Sequence, residues 1–249
     1  MKRLLIRADD LGYSDGVNCG IARSVNCGII RTIGVMVNMP EVENGLRMLH
    51  ADGLCLGQHT NISSGKPLSD PKDIPSLMGE NGLLKPTRAY HSPGTDTIVL
   101  DEVILEIEAQ YRRFCALVGE KPGYLEGHAV FHPVYEHGLE IVAKRHGVKF
   151  SGLPKQGEPM RVGSTDVLMS MDSLQQDYVP FASLQRNLLD APDGACVVFV
   201  CHPGYLDEYI LNHSSLTMPR PREVAMLTDP EVANWLDEQN IQRVTYYDL

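Results

Sequence analysis

The chain has 249 residues, 43% of them hydrophobic, and a formal net charge of -10 at pH 7. This length and composition suit one α/β domain over 1–249 with a sizeable core. The negative charge argues against nucleic acid and against an anionic membrane as the main partner, because both would repel the chain.

Two further features bear on where the protein acts. No apolar run is long enough to span a bilayer, and the N-terminus has too few apolar residues for a secretion signal. Six cysteines are scattered without the spacing of a zinc site, mostly within apolar patterns. We therefore expect a cytoplasmic protein whose cysteines are buried and reduced.

Strands and helices are predicted to alternate along the chain, which is typical of parallel βαβ units. The predicted elements are a strand from Leu4 into Asp9, helix 16–28 with Ser14 or Asp15 as cap, strand 33–37, helix 41–51, strand 54–56, helix 101–118, helix 134–146, strand 148–150, a helix near 181–189, strand 196–200, a helix capped by Asp229, and strand 243–247. Three connecting segments, 62–97, 151–178 and 203–227, are too long for ordinary connectors, and we expect them to form substrate-binding walls or lids.

Several predicted strands end in an ionisable residue. Asp9 and Asp10 follow the first strand, and His59, His128 and His202 each close a later apolar run. Functional residues of open α/β sheets and (β/α) barrels gather at the carboxyl ends of the strands, so these side chains are expected to form one site. Adjacent carboxylates repel each other unless a positive group compensates them, although a solvated Asp-Asp turn is the alternative for this pair alone.

The ligand types favour a metal-dependent hydrolase. Two imidazoles and one carboxylate suit a divalent transition metal with positions left open. Such an ion lowers the pKa of a bound water and polarises a carbonyl, as hydrolysis of an amide or ester requires. Asp9 and His202 are the candidates for general base and general acid.

The motifs that carry these residues resemble those of the YdjC-like carbohydrate deacetylases, which include chitooligosaccharide deacetylases. The matching segments are 8–14, 16–18, 56–61, 65–67, 126–132 and 202–205. The resemblance implies a distorted (β/α) barrel of mostly parallel strands, a single domain with long loops at its C-terminal rim, that removes acetyl groups from small N-acetylated sugars. It also implies metal ligands at Asp10, His59 and His128, a base at Asp9 and an acid at His202.

The metal and the substrate are less closely specified. The resemblance implies Mg²⁺, whereas two histidine ligands suit Zn²⁺, Mn²⁺, Co²⁺ or Fe²⁺ better. Asn61 and His132 are the candidate substrate-binding residues, and a structural role for His132 has about equal weight. The third motif departs from the family pattern, since Glu126 and Val130 stand where Asp and His are usual. Phosphorylation of the sugar and homo-oligomerisation stay open.

This prediction has alternatives of two kinds, structural roles for the single residues and other functions for the whole protein. His59 and His202 taken singly would be structural residues at strand ends, and Arg220 and Arg222 would be surface residues or hold an anion. One rival function is a glycosidase for a phosphorylated disaccharide that uses Asp9 and Glu126 as its carboxylate pair. The other is a sugar-binding protein that kept a metal cage but lost turnover.

Overall fold

The computed structural model describes residues 1–91, 98–154 and 158–249. In chain order, these residues form β1 (Arg3–Leu11), α1 (Asp15–Asn26), β2 (Thr32–Val35), α2 (Val42–Arg47), β3 (Cys55–Thr60), α3 (Thr87–Tyr90), α4 (Leu100–Val118), β4 (Tyr124–Gly127), α5 (Pro133–His146), β5 (Lys149–Phe150), β6 (Met160–Val162), β7 (Thr165–Ser170), α6 (Pro180–Asp190), β8 (Cys196–Cys201), α7 (Glu208–His213), α8 (Pro219–Leu227), α9 (Pro230–Glu238) and β9 (Gln242–Arg243). Short 3-10 turns lie at Pro75–Leu77, Asp172–Leu174 and Tyr246–Asp248. The predicted alternation of strands and helices is confirmed.

The chain divides into two compact units, of which the first comprises Met1–Gly34, Pro40–Cys55 and Pro154–Leu249. In this unit β1 lies parallel to β8 and β9, β8 lies parallel to β7, and β7 pairs antiparallel with β6. All of β8 is buried, as its unbroken apolar sequence predicts for a central parallel strand.

The second unit comprises Val35–Met39 and Leu56–Leu153, and its strands β3, β4 and β5 pair in parallel in that order. Helices α4 and α5 approach closely at Gly138, where a Cβ would lie 2.7 Å from Cγ1 of Val103. Val103, Ile107 and Leu139 are fully buried in the resulting apolar core. This core supports β4, the strand that leads into Glu126.

Helix α1 begins at the predicted cap, where the Ser14 hydroxyl accepts a hydrogen bond from the backbone N–H of Val17 at 3.3 Å. Its Gly20 faces Gly204 so closely that a Cβ at Gly20 would lie 2.3 Å from the Cα of Gly204. The helix therefore touches the loop after β8 backbone to backbone, two residues beyond His202.

Some expectations about the fold were wrong. The final strand covers only Gln242–Arg243, because Thr245 and Asp248 form a capping box that starts a 3-10 turn instead. All six cysteines are free thiols as predicted, but Cys19 and Cys27 are exposed. Cys19 lies on α1 opposite its buried stripe of Val17, Ile21 and Val25, and Cys27 follows the end of the helix.

The three long connecting segments contain elements of their own. The first carries α3, the second carries β6 and β7, and the third carries α7 and α8. Parts of the first two, at 92–97 and 155–157, lie outside the described residues. Within the described ranges, no helix combines the length and apolar character that crossing a membrane requires.

Candidate active site

The two adjacent carboxylates at the end of β1 are buried, and each has its own guanidinium. Arg7 Nη2 donates to Asp9 Oδ2 at 2.8 Å, and Arg220 Nη2 donates to Asp10 Oδ2 at 2.8 Å. All four side chains are at most 5% exposed. Fixed positive charges therefore offset the repulsion between the carboxylates, a contribution that we did not expect from the sequence.

The backbone at Asp10 departs from regular strand geometry. Its φ is +80°, in the left-handed region that few residues with a Cβ adopt. The carbonyl of Asp10 accepts a hydrogen bond from the N–H of Tyr13 at 3.0 Å, which closes the turn into α1. Consecutive side chains of a regular strand point to opposite faces, and this conformation interrupts that alternation between Asp9 and Asp10. Strained backbone of this kind is concentrated at functional sites.

His59 and His128 lie side by side at the carboxyl ends of β3 and β4. Nε2 of His59 is 2.9 Å from Nδ1 of His128, and their rings meet edge to face with centroids 4.9 Å apart. On its other side, Nδ1 of His59 forms a hydrogen bond with Oε1 of the buried Glu126. With its proton on Nδ1 toward this carboxylate, His59 presents the lone pair of Nε2 as the atom that could bind an ion.

These histidines and Asp10 form a candidate metal-ligand group. Asp10, His59 and His128 are one set of side chains that could hold a metal ion, and Asp9, His59 and Glu126 are another. Nε2 of His59 and Nδ1 of His128 are close enough to each other to contact one ion together. The donor set and its spacing therefore fit a divalent ion.

Asp9 retains one unoccupied acceptor. Its Oδ1 is buried and has no hydrogen-bond partner among the described residues, while Oδ2 is held by Arg7. A buried carboxylate oxygen without a partner is costly in a site that performs no chemistry. It is available to accept a proton from a water or substrate group.

His202 follows β8 directly and is held by three neighbours. Its Nδ1 lies 3.2 Å from the hydroxyl of the buried Ser173. Its N–H donates to Glu223 Oε2 at 2.6 Å, and its carbonyl accepts from Arg220 Nη1 at 3.3 Å. In the doubly protonated form of the ring, Nδ1–H would donate to the Ser173 hydroxyl and the Nε2 proton could be given away, which leaves a neutral imidazole.

The two candidate substrate-binding residues have protein partners. The fully buried amide of Asn61 donates to Asn38 Oδ1 at 3.0 Å and to the carbonyl of Ser64 at 2.8 Å, and its Oδ1 accepts from the N–H groups of Ser63 and Ser64. These contacts give Asn61 a role in holding the loop after β3. His132 caps α5, accepting from the N–H of Val134 at 3.2 Å. Contact of either residue with substrate stays a prediction.

Sequence reasoning missed four residues of this site: Arg7, Ser173, Arg220 and Glu223. Arg220 was assigned to the surface or to anion binding, whereas it is 2% exposed. A signal was present, because Arg220, Glu223, Val224 and Leu227 have the i, i+3, i+4, i+7 spacing of one buried helical face. Arg7 and Ser173 carry no comparable signal.

Comparison with known proteins identifies relatives over almost the whole length of the chain. The chain is 32% identical to a carbohydrate deacetylase of Geobacillus stearothermophilus, with 97% of this chain and 96% of that protein covered. It is 27% identical to a chitooligosaccharide deacetylase of Yersinia pestis, with 92% of each chain covered. These names describe the relatives.

The fold has a solved counterpart. A proposed cellobiose-phosphate cleavage protein of Enterococcus faecalis superimposes with a TM-score of 0.83 at 22% identity, covering 99% of this chain and 98% of that one. The predicted α/β fold class, a (β/α) barrel of mostly parallel strands, is thereby confirmed. The family model described as YdjC-like protein matches residues 3–238. The chain therefore belongs to the YdjC-like protein family.

Proposed function

We propose that this protein is a metal-dependent hydrolase that removes the acetyl group from a small N-acetylated sugar. The observation that carries the proposal is the pair of imidazoles of His59 and His128, whose facing nitrogens lie 2.9 Å apart. Asp10 is the third residue that could hold an ion with them. The names of the deacetylase relatives supply the substrate class.

The donor set suggests which metal is used. Two neutral imidazoles and one carboxylate suit Zn²⁺, Co²⁺, Mn²⁺ or Fe²⁺ better than Mg²⁺, which prefers oxygen ligands. When bound, such an ion supplies polarisation of the acetyl carbonyl and easier ionisation of a water. Glu126 orients His59 toward that ion through its hydrogen bond to Nδ1.

In this proposal Asp9 is the general base. Arg7 holds one carboxylate oxygen of Asp9, while the other is buried without a described partner and can accept the proton of the attacking water. His202 is the general acid in its doubly protonated form, with Nδ1–H donated to the hydroxyl of Ser173 and the transferable proton on Nε2. It gives that proton to the nitrogen of the sugar as the amide bond breaks.

The contacts of Glu126 argue against the glycosidase alternative. A glycosidase needs two carboxyl groups that both face one glycosidic bond. Glu126 is 2% exposed and hydrogen-bonded to a candidate ligand histidine, which is the position of an orienting group. Cytoplasmic location is part of the proposal, supported by six free thiols in one chain.

Acetate release tests the function directly. The purified protein is stripped with a chelator, reloaded with Zn²⁺, Co²⁺, Mn²⁺ or Mg²⁺ and incubated with N,N′-diacetylchitobiose while acetate is assayed enzymatically. We expect release that depends on the added metal and is abolished in His128→Ala. His146→Ala is the matched control, because His146 also faces a carboxylate, Glu108, but belongs to no candidate ligand group among the described residues. Sugar cleavage without acetate release would favour the glycosidase alternative.

A further inference from the structure

Helix α8 makes hydrogen bonds to both the backbone N–H and the backbone carbonyl of His202. Glu223 Oε2 accepts from the N–H of His202 at 2.6 Å, and Arg220 Nη1 donates to the carbonyl of His202 at 3.3 Å. Arg220 and Glu223 are three residues apart and buried, so both project from one face of the helix. The loop after β8 is thereby fixed at the residue whose side chain is the candidate acid.

The guanidinium of Arg220 makes further contacts. Its Nη2 donates to Asp10 Oδ2 at 2.8 Å, and its Nε donates to the carbonyl of Leu216 at 2.8 Å. A planar fork with five donors can serve three acceptors in fixed directions, which the single ammonium of a lysine cannot do. Arg220 therefore links the backbone of His202 to the side chain of Asp10 in one rigid unit.

Glu223 is itself constrained. Its second oxygen, Oε1, accepts from the hydroxyl of Tyr178 at 2.8 Å, so both carboxyl oxygens have partners. Burying a carboxyl group completely costs stability, and burial raises the pKa of Glu223 to about 8. The fold keeps this unfavourable group at a point where it touches His202.

We infer that Arg220 and Glu223 are positioning residues. Their hydrogen bonds to the backbone N–H and carbonyl of His202 fix the orientation of that residue, and Arg220 also fixes the side chain of Asp10 relative to it. The inference rests on the proposed role of His202 as the acid. Proton donation is sensitive to small displacements of the acid. Loss of the hydrogen bond from either residue to His202 is therefore expected to slow the step that expels the amine. Neither residue needs to touch the sugar.

The experiment combines hydrogen exchange with kinetics. Glu223→Ala removes the acceptor for the N–H of His202, and Glu223→Gln keeps an acceptor of the same shape. Arg220→Lys keeps the positive charge but lacks the planar guanidinium group. Arg222→Lys on the exposed face of α8 is the matched control. Each variant is checked for folding by circular dichroism. Exchange of the His202 amide is then measured, together with turnover of N,N′-diacetylchitobiose and 4-nitrophenyl acetate, in the wild-type and His202→Ala backgrounds.

We expect Glu223→Ala and Arg220→Lys to lower kcat on diacetylchitobiose by about 10- to 100-fold with a smaller loss on the aryl acetate. Glu223→Ala is expected to speed exchange of the His202 amide, and Glu223→Gln to restore both measurements. In the His202→Ala background, Glu223→Ala should not lower kcat further, because the residue through which it acts is gone, whereas Arg220→Lys still acts through Asp10.

Additive losses in the Glu223→Ala/His202→Ala double variant, or unchanged exchange of the His202 amide in Glu223→Ala, would overturn the inference. The exchange measurement needs no substrate. If the wild type releases no acetate, the proposed function fails, while exchange still decides whether α8 holds His202. Should Glu223→Ala not fold, Arg220→Lys carries the kinetic test, and equal losses of kcat on diacetylchitobiose and on the aryl acetate would overturn the inference.

Discussion

Glu126 and His59 form a buried hydrogen-bonded pair in which the carboxylate contacts the ring nitrogen that faces away from His128. This arrangement predicts the effect of neutralising Glu126. Glu126→Gln is expected to weaken binding of Zn²⁺ by about 10- to 100-fold, because a neutral amide holds the Nδ1 proton less strongly.

Isothermal titration calorimetry of the metal-free protein with Zn²⁺ measures this change in affinity. Glu108→Gln is the control, since Glu108 also contacts a histidine, His146, but outside the candidate ligand group. Equal affinities of the Glu126 variant and the wild type would show that Glu126 does not tune a metal ligand.

Asp9→Asn separates catalysis from metal binding. The amide keeps the shape of the side chain but cannot act as a base, so turnover of diacetylchitobiose is expected to fall at least ~100-fold. Zinc content, measured by mass spectrometry, is expected to stay at the wild-type level. A variant with full activity would exclude Asp9 as the base, and one with reduced zinc would make it a ligand.

His202→Ala tests the acid through the leaving group. An amine leaves with difficulty unless it is protonated, whereas 4-nitrophenolate leaves unaided. The variant is therefore expected to lose about 100-fold or more in kcat on diacetylchitobiose and far less on 4-nitrophenyl acetate. Equal losses on the two substrates would point instead to a role of His202 in binding or in stabilising the oxyanion.

Burial of Glu223 predicts how stability depends on pH. Because its pKa rises from 4.5 to about 8 on folding, the native state binds more protons than the unfolded state over that range. The free energy of unfolding should therefore fall as the pH rises from about 5 to about 8, by at most ~1.4 kcal/mol per pH unit from this group. Urea denaturation of the wild type and Glu223→Gln should show the variant gaining relative stability with pH.

The Glu108→Gln variant is the control for this pH dependence of stability. Ion pairs with His146 and Arg145 lower the pKa of Glu108 against the opposing effect of its burial, so Glu108 stays ionised across the same range. The stability difference between Glu108→Gln and the wild type should therefore show no trend due to titration of Glu108. A difference between Glu223→Gln and the wild type that is independent of pH would mean that Glu223 is ionised in the folded state.

Much of the fold was predictable because long periodic patterns determine their own structure. The predicted helix 101–118 is observed as Leu100–Val118, and the helix after cap Asp229 as Pro230–Glu238. The strand expected over 243–247 was wrong, because side-chain capping by Thr245 and Asp248 outweighed the β propensity of the segment.

The site was predictable only in part, for a different physical reason. Ligand-type residues at strand ends reveal themselves because the carboxyl ends of parallel strands share one edge. The partners that hold those residues come from any surrounding element and have no fixed spacing. Arg220 is 210 positions from Asp10, and Ser173 is 29 positions from His202. Such partners become visible only in three dimensions.

The close approach of Gly20 to Gly204 has a consequence for protein engineering. A design rule based on helix propensity alone would favour Gly20→Ala, since alanine is the better residue within a helix by about 1 kcal/mol. The added methyl group would lie 2.3 Å from the Cα of Gly204 and must displace that loop. A library that improves α1 by helix propensity alone would thus move the loop that begins directly after His202, the candidate acid. Variation at this position should be restricted to glycine.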